Sequence, residues 1–246
     1  MTVYMNGSLN IEAHVELKDL LALTHKPSEN HLEQNMNNWV TDRDIAQEML
    51  RGATGQIPGF LPLEKTKHFQ SLNQAFLHAA AEVDSILDIG CGAADFGRVY
   101  GFFDYTGADQ PHIIEEVAKK KNPNLQFMTF DAYNTDYDFA SSYDLVLMNA
   151  FISEISQANI IFKKILQKSQ KYVLIHRQKI ESLDEDVEYR NYTGYLNKMY
   201  TCAVLSQQFF DNTLKENNFK VEVKFPSETP GEFTLLLKKE EQWPYL

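Results

Sequence analysis

The sequence predicts an α/β fold with a mostly parallel sheet, helices on both faces, an antiparallel C-terminal hairpin and an N-terminal helical cap. Three observations predict it. The hydrophobic period is helical before about residue 83, and strand-like and helical patterns alternate afterwards. This alternation indicates parallel strands joined by crossover helices. Near the end, two strand patterns flank the turn-rich segment PSETPG, which is typical of an antiparallel hairpin.

Length and composition limit the alternatives. The chain has 246 residues, enough for one large α/β domain, and a formal net charge of -11. Because the acidic residues are spread along the chain, nucleic acid is disfavoured as a partner. Only two cysteines occur and no run of about 18 apolar residues is present. We therefore expect a soluble cytoplasmic protein without membrane or nucleic-acid partners, while its oligomeric state stays open.

The first 80 residues are predicted to form a helical cap or extension. Apolar residues recur at helical spacing over 11–23, 41–50 and 63–81, and Thr41 and Asp42 give an N-cap signal. The segment RGATGQIPGFLP separates the last two patterns and predicts a loop, because its glycines and prolines break helices. Residues 81–246 are then expected to form the main domain.

Five parallel strands are expected in the main domain. Their patterns cover residues 85–89, 105–108, 125–130, 143–148 and 172–175. Helical patterns over 111–121 and 154–167 supply crossovers, and a last helix is predicted over 206–216. The segments FKVEVKF and EFTLLLKK are predicted to form the terminal hairpin. The sheet would then have seven strands, one of them antiparallel to the five parallel strands.

The stretch SILDIGCGAADFG, residues 85–97, joins the first strand to the first helix. The apolar residues around Asp88 predict a buried strand, and Gly90 and Gly92 remove the side chains where the chain must turn. Asp109 ends the next strand, 21 positions after Asp88, at about the spacing where doubly wound folds bind ribose hydroxyls. Two glycines followed by such an acid predict nucleoside binding.

The same stretch argues against a dinucleotide. The fingerprint G-x-G-x-x-G fails here, because its third glycine position holds Asp95 and Gly97 comes two residues late. A carboxylate there would face a pyrophosphate, whereas a ligand with a sulfonium and an ammonium would be favoured by acids such as Asp88. The segment LDIGCGAA, residues 87–94, resembles the first motif of the class I S-adenosylmethionine-dependent methyltransferases, D-x-G-x-G-x-G, with Ala94 replacing the last glycine.

The resemblance extends over residues 85–239 and implies a Rossmann-like fold with S-adenosylmethionine as cofactor. It implies that the glycines pass under the methionine part, that Asp88 helps hold the ammonium and that Asp109 takes the ribose hydroxyls. Asp131 and Ala132 match the adenine position, and Asn149 matches the position beside the departing methyl. The cofactor site implied by the resemblance consists of Asp88, Gly90, Cys91, Gly92, Asp109, Gln110, Asp131, Ala132 and Asn149.

Three of these residues have simpler explanations. Asp131 precedes a loop and could cap a turn. Asn149 is followed by Ala150 and Phe151, without the prolines of the N-P-P-Y box of amino-methylating enzymes, so it could be a turn-forming asparagine. Cys91 has no cationic neighbour in sequence, which favours a small buried residue over a nucleophile.

The chemistry needs an aligned nucleophile, a shielded pocket and in some cases a base. His176 ends the fifth strand pattern, KYVLIH, at the sheet edge where ligands bind, so it is the predicted base. The alternative is a histidine that hydrogen-bonds the following loop.

The following segment, about 178–202, is longer than a standard connection and predicts a substrate lid. Tyr192 and Tyr195 within it could contact substrate or pack the lid. The acids at 184–186 and Glu188 are expected to be solvated, so no metal is predicted.

The function predicted on this basis is methyl transfer from S-adenosylmethionine to a small molecule, to a hydroxyl oxygen of a natural-product or sugar-like acceptor. A hydroxyl is preferred because its proton would give His176 a role. Methyl transfer to RNA or protein is one alternative. A non-catalytic cofactor-binding or complex-partner module is another, because binding residues and turnover residues are different sets.

Overall fold

The structure is a computed structural model that describes residues 43–133, 143–193 and 199–240. Its helices are α1 (Arg43–Ala53), α2 (Phe69–Leu77), α3 (Asp95–Tyr100), α4 (Pro111–Ile113, a π-helical turn Ile114–Ala118, and Lys119–Lys121), α5 (Ala158–Lys168) and α6 (Gln207–Glu216). Its strands are β1 (Ser85–Ile89), β2 (Asp104–Asp109), β3 (Gln126–Thr129), β4 (Leu145–Asn149), β5 (Tyr172–Glu181), β6 (Val187–Thr193), β7 (Met199–Ser206), β8 (Phe219–Pro226) and β9 (Glu232–Lys239). Single 3-10 turns lie at Leu63–Lys65, Ala80–Glu82 and Ile152–Glu154.

One sheet contains all the described strands. Strands β3, β2, β1, β4 and β5 lie side by side in that order and are parallel. Strand β5 has two further partners: most of its length pairs antiparallel with β9, and its last residues, beyond the end of β4, pair in parallel with β7. Strands β6 and β8 pair antiparallel with β7 and β9. The predicted α/β class with a reversed C-terminal hairpin is confirmed.

The predicted count of seven strands is wrong, because the described part of the chain has nine. Of the two additional strands, β6 and the first half of β7 come from the segment 178–202 that is predicted to form a lid, and β7 continues to Ser206. They pair with each other in antiparallel register, and Ala203 and Leu205 of β7 are buried in the core. The tyrosine-rich segment therefore extends the sheet, and its role as a lid stays a prediction.

The fifth strand continues past the point where its sequence pattern ends. The expected strand covers 172–175, whereas β5 reaches Glu181. Its pairing with β9 shifts by one residue just before Gln178, which marks a β-bulge. Arg177 lies in this bulge with a left-handed backbone, φ 62°. Its side chain is exposed between the buried His176 and Gln178, because the bulge interrupts the alternation of the strand.

Helices cover both faces of the sheet. On one face, apolar residues of α5 and α6 share a buried cluster with Leu87, Val146 and Val173. On the other face, α2 and α3 share a second cluster with Ile86 and Leu145. Since both faces are buried, the central strands are continuous apolar runs rather than alternating patterns. This arrangement leaves the carboxyl ends of the parallel strands as the open edge of the sheet.

The described N-terminal segment packs on this framework. Ala46 of α1 shares a cluster with Ile113 and Val117 of α4, and α2 contributes to the core of the sheet. The pattern over 63–81 forms a 3-10 turn, α2 and another 3-10 turn instead of one helix. The helix predicted over 11–23 and the N-cap signal at 41–42 lie outside the described residues. Within the described ranges, no helix has the length and apolar character needed to cross a membrane.

Candidate functional site

The glycine-containing turn between β1 and α3 has the backbone that its sequence requires. Gly90 and Gly92 have φ values of 71° and 53°, in the left-handed region that favours glycine. A side chain at Gly90 would bring its Cβ within 2.8 Å of the Phe151 ring. Ala94, which replaces the last glycine of the motif, also has a left-handed backbone, φ 55°. The turn therefore presents bare backbone to the open edge of the sheet.

Asp88 at the end of β1 is a buried carboxylate beside this turn. It is 3% exposed and accepts a hydrogen bond of 2.7 Å from the Tyr105 hydroxyl. Burial raises the pKa of Asp88 to about 7, although the Tyr105 hydrogen bond lowers it, and the charges of Asp109 and Asp95 raise it further. Because burial penalises the charged carboxylate, a cation placed beside it would stabilise the ionised form.

Asp109 at the end of β2 faces the turn across the sheet edge. Its Oδ2 accepts a hydrogen bond from the Gly92 amide at 2.8 Å, and its Oδ1 accepts one from the Gln110 amide at 2.7 Å. Burial raises the pKa of Asp109, while these two amides oppose the rise. Each carboxylate oxygen has a second lone pair, so both can still accept a ligand hydroxyl.

Asn149 at the end of β4 carries an unsatisfied polar atom. Its side-chain oxygen is buried and has no hydrogen-bond partner among the described residues. Such atoms are rare in folded proteins, and this one is available to accept a hydrogen bond from a ligand. The next residue, Ala150, has a left-handed backbone of φ 57°, and its amide donates to the His176 carbonyl at 2.9 Å. The end of β4 is therefore held in place by this hydrogen bond, while the side-chain oxygen of Asn149 has no donor among the described residues.

A first cavity, of about 220 Å³, opens at the ends of β1, β2 and β4. It brings together most of the predicted cofactor residues and adds aromatic walls from Phe130, Tyr133 and Phe151. Asp131 is exposed and its Oδ1 accepts a hydrogen bond from the Tyr133 amide at 3.0 Å, which is the turn-capping alternative. The predicted residues in its lining are Gly90, Gly92, Asp109, Gln110, Ala132 and Asn149.

A second cavity, of about 580 Å³, adjoins the first. Asp88 and Cys91 lie in its lining, together with Glu228 and several residues of the segment 59–68, namely Gly59, Phe60, Leu61, Leu63, Thr66, Lys67 and His68. Burial raises the pKa of the Cys91 thiol well above its usual range, which agrees with a small buried residue. The two cavities share Met49, Gly90, Gly92, Asn149 and Arg177, so they form one cleft with a junction at the glycine-containing turn.

His176, the predicted base, does not line this cleft. Its side chain is 0% exposed and lies in the middle of β5 rather than at a strand end. Its Nε2 is 3.1 Å from Nδ1 of His68, and its Nδ1 is 2.7 Å from the Thr234 hydroxyl. His68 does line the second cavity. The imidazole of the predicted base is therefore separated from the cleft by the His68 side chain.

The predicted substrate tyrosines fall in different positions. The Tyr192 hydroxyl donates to Glu154 at 2.9 Å, its ring packs 5.6 Å from that of Tyr200, and burial raises its pKa. Glu154 lines the first cavity, so Tyr192 supports the wall of the cleft. Tyr195 lies outside the described residues. Within the described ranges, no group of three or more His, Cys, Asp or Glu side chains could hold a metal ion.

Sequence reasoning missed several polar residues of the cleft, among them His68 and Arg177. His68 precedes α2 in a region without a recognised motif, and no local signal could have found it. Arg177 follows the predicted base directly, but its exposure depends on the bulge, which is not apparent from the strand pattern. Both residues reach the cleft through contacts between distant parts of the chain.

Comparison with known proteins identifies structures of similar fold, but it identifies no relative by sequence. No family model matches the chain, and no curated protein matches it significantly. Solved structures do match. Magnesium protoporphyrin IX methyltransferase from Synechocystis PCC 6803, with bound S-adenosylhomocysteine, has a TM-score of 0.58 at 14% identity. That match covers 85% of this chain and 99% of the other.

Two further structures agree. An amino pentose methyltransferase of calicheamicin biosynthesis from Micromonospora echinaspora, with bound S-adenosylmethionine, has a TM-score of 0.54 at 11% identity, covering 80% of this chain and 97% of that one. An S-adenosylmethionine-dependent methyltransferase from Mesorhizobium loti has a TM-score of 0.53 at 12% identity, covering 72% and 100%. Together with the glycine-containing turn and the sheet order, these matches show that the chain has the fold of the class I S-adenosylmethionine-dependent methyltransferases.

Proposed function

We propose that the protein transfers a methyl group from S-adenosylmethionine to a hydroxyl oxygen of a small molecule. The single observation that carries this proposal is the environment of the glycine-containing turn. Here Asp88, Asp109 and the unpaired oxygen of Asn149 surround bare backbone at the junction of two cavities. All three are acceptors, and the cofactor offers an ammonium, a sulfonium and two ribose hydroxyls.

The residues present fit the cofactor. When bound, S-adenosylmethionine supplies an activated methyl group on its sulfonium. Asp88 and Asn149 would hold the ammonium, because one is a desolvated carboxylate and the other a buried oxygen without a donor. Asp109 would accept from the ribose, and Ala132 with the aromatic wall of the first cavity would enclose the adenine. The second cavity is then left for the acceptor.

A chain of hydrogen bonds supports a hydroxyl acceptor, because it fixes an unprotonated ring nitrogen on His68, a residue that lines the second cavity. The Ser71 hydroxyl donates to the His68 carbonyl at 3.0 Å, and the Thr234 hydroxyl donates to Ser71 at 3.0 Å. Since each hydroxyl has one proton, Thr234 must accept from Nδ1 of His176. His176 Nε2 is then unprotonated and accepts from Nδ1 of His68, which leaves Nε2 of His68 with a lone pair.

We infer that His176 acts through His68. His176 would fix the tautomer and ring orientation of His68, whose Nε2 would take the proton of the acceptor hydroxyl while that oxygen receives the methyl group. Burial lowers the pKa of His68 to about 4, and the charge of Arg177 lowers it further, so the imidazole is neutral near pH 7. The proposal that His176 itself contacts the acceptor would require its side chain to leave the core.

The cofactor is tested by calorimetric titration with S-adenosylmethionine and, separately, with NAD. We expect binding of the first only. Asp109→Ala should weaken that binding roughly tenfold or more, because a charged acceptor is lost. Asp104→Ala, at the exposed start of the same strand, is the matched control and should leave the affinity unchanged. Equal affinities of the two variants would show that the ribose site is misplaced.

Catalysis is tested by incubating the protein and methyl-labelled cofactor with cell extracts. A labelled small molecule supports the proposal, and labelled RNA or protein replaces it with one of the alternatives. Tight cofactor binding without any labelled product would identify a non-catalytic module. The tautomers are tested independently by ¹⁵N NMR of the imidazoles, where the proposal requires protonated Nδ1 and unprotonated Nε2 in both His68 and His176.

A further inference from the structure

We propose that the second cavity recognises an acceptor that carries a carboxylate on an apolar body, and that Arg177 binds this carboxylate. The inference rests on the proposed function and adds the chemical class of the acceptor. It is carried by four features of Arg177: its backbone, its lack of a carboxylate partner among the described residues, its place in the sheet and its surroundings.

The backbone of Arg177 is held in an uncommon conformation. Residues other than glycine rarely adopt a φ of 62°, and they keep it where the surrounding structure enforces it, often at functional sites. Here the enforcement comes from the bulge between β5 and β9, which turns the side chain away from the core. The fold therefore directs the only exposed side chain in the stretch 172–178 into the cleft.

Arg177 has no carboxylate partner among the described residues, unlike every other described arginine. Arg51 pairs with Glu48 at 2.9 Å, Arg98 with Glu64 and with Asp95, Arg190 with Glu181 at 2.8 Å, and Arg43 lies 3.8 Å from Glu116. A guanidinium has five donors in a planar fork that matches a carboxylate. An arginine that lines a cleft without an internal partner is therefore suited to an external carboxylate.

The sheet order places Arg177 on the acceptor side. Asp109 ends β2, and the order β2, β1, β4, β5 puts Arg177 three strands away, a span of roughly 14 Å at the usual strand spacing. Arg177 lies at the junction of the two cavities and close enough to His68 for its charge to lower the pKa of that imidazole. A carboxylate bound there would offset this charge and make the His68 nitrogen more basic.

The walls around Arg177 are suited to an apolar body. Phe60 and Leu61 are 37% and 51% exposed and line the second cavity beside Leu63. Lys67 adds a second cation to the lining. The carboxylates there leave Arg177 unpaired: Asp88 is buried against Tyr105, Asp95 pairs with Lys121 at 2.5 Å and with Arg98, and Glu228 forms no ion pair with Arg177.

The experiment measures binding of benzoate and of benzamide to the full chain saturated with S-adenosylhomocysteine. The two probes have nearly the same shape and differ in charge. We expect benzoate to bind at least about tenfold more tightly than benzamide, and Arg177→Gln to remove this preference. Arg51→Gln changes the net charge equally at a residue paired with Glu48 and should keep the preference. Inorganic phosphate is then added as a competitor to test whether any anion can occupy the site. Displacement of benzoate by phosphate at equal concentration would overturn the assignment of the site to a carboxylate.

A second variant guards against misfolding. Arg177→Gly removes the side chain and tolerates the left-handed backbone, so its thermal unfolding should match that of the wild type. Equal binding of the two probes by the wild type, or no binding of either, would overturn the inference, even with the cofactor bound. A tenfold loss of S-adenosylmethionine affinity in Arg177→Gly with the benzoate preference intact would assign the guanidinium to the cofactor and also overturn it. Absence of cofactor binding in the wild type would instead overturn the proposed function.

Discussion

The two cavities of the cleft are built in different ways. The first is formed by residues that end parallel strands, namely Gly90 after β1, Asp109 on β2 and Asn149 on β4. The second also takes residues from the segment 59–68 and from the connection between β8 and β9, and Arg177 in the bulge of β5 lines both cavities. A strand end is fixed by the sheet, whereas a loop is fixed by its own packing. We therefore expect the first cavity to tolerate very little change and the second to tolerate more.

The largest expected effect follows a substitution in the first cavity. Gly90→Ala places a methyl group 2.8 Å from the Phe151 ring on a left-handed backbone. The methyl group would also occupy the surface that the cofactor approaches, so we expect S-adenosylmethionine affinity to fall about 100-fold or more, measured by calorimetry. Gly55→Ala is the control, because Gly55 has a similar φ of 76° with open space around it. The Gly55→Ala variant should lose roughly 1 kcal/mol of unfolding free energy, and its affinity for S-adenosylmethionine should be unchanged.

The histidine pair gives the next largest effect, in acid stability. The pKa of His68 is about 4 in the folded protein and about 6.5 when unfolded, so the unfolded state binds more protons between these values. Stability contributed by the neutral imidazole is therefore present above pH 6.5 and is lost as the pH falls towards 4. We expect His68→Asn to reduce the loss of unfolding free energy between pH 7 and pH 5 by about 1–2 kcal/mol in denaturant titrations. Identical losses in both proteins would contradict a neutral His68 in the folded protein.

Asp88 should make cofactor binding depend on pH, with affinity lost as the pH falls, in the same sense as the His68 contribution to stability. Its pKa of about 7 means that it is largely protonated at pH 6 and ionised at pH 8, with Asp109, Asp95 and the Tyr105 hydroxyl as its polar neighbours. Because the cationic cofactor needs the ionised form, its affinity should be about tenfold weaker at pH 6 than at pH 8. Asp88→Asn should bind weakly at both values. A wild-type affinity that is the same at both pH values would remove Asp88 from the cation site.

The smallest effect is expected at the rim of the second cavity. Leu61 is 51% exposed, so Leu61→Ser should change the unfolding free energy by about 0.5 kcal/mol or less and leave the cofactor affinity unchanged. The variant should instead weaken binding of an apolar acceptor probe, by a fewfold at most. A loss of S-adenosylmethionine affinity in Leu61→Ser would mean that the two cavities do not divide the ligands as proposed.

The same division explains what could be predicted from the sequence. The bounds of β1 and the positions of Asp88 and Asp109 were accessible, because an apolar strand followed by a glycine-containing turn is a local pattern. Strands β6 and β7 were not, because the pattern of their tyrosines suits a packed lid as well as a sheet edge. His68 and Arg177 depend on contacts between segments far apart in the chain, which no local period encodes.

The contacts of the histidine pair have a consequence for how the protein folds. His68 and His176 are 108 residues apart, Thr234 is 58 residues from His176, and Ser71 is 163 residues from Thr234. Each contact requires the closure of a long loop, and such contacts form late because their entropic cost precedes their stabilisation. A partly folded chain could complete β1, β2 and β4 while the two imidazoles are still apart. Proximity of His68 to His176 is thus a marker of the completed tertiary structure.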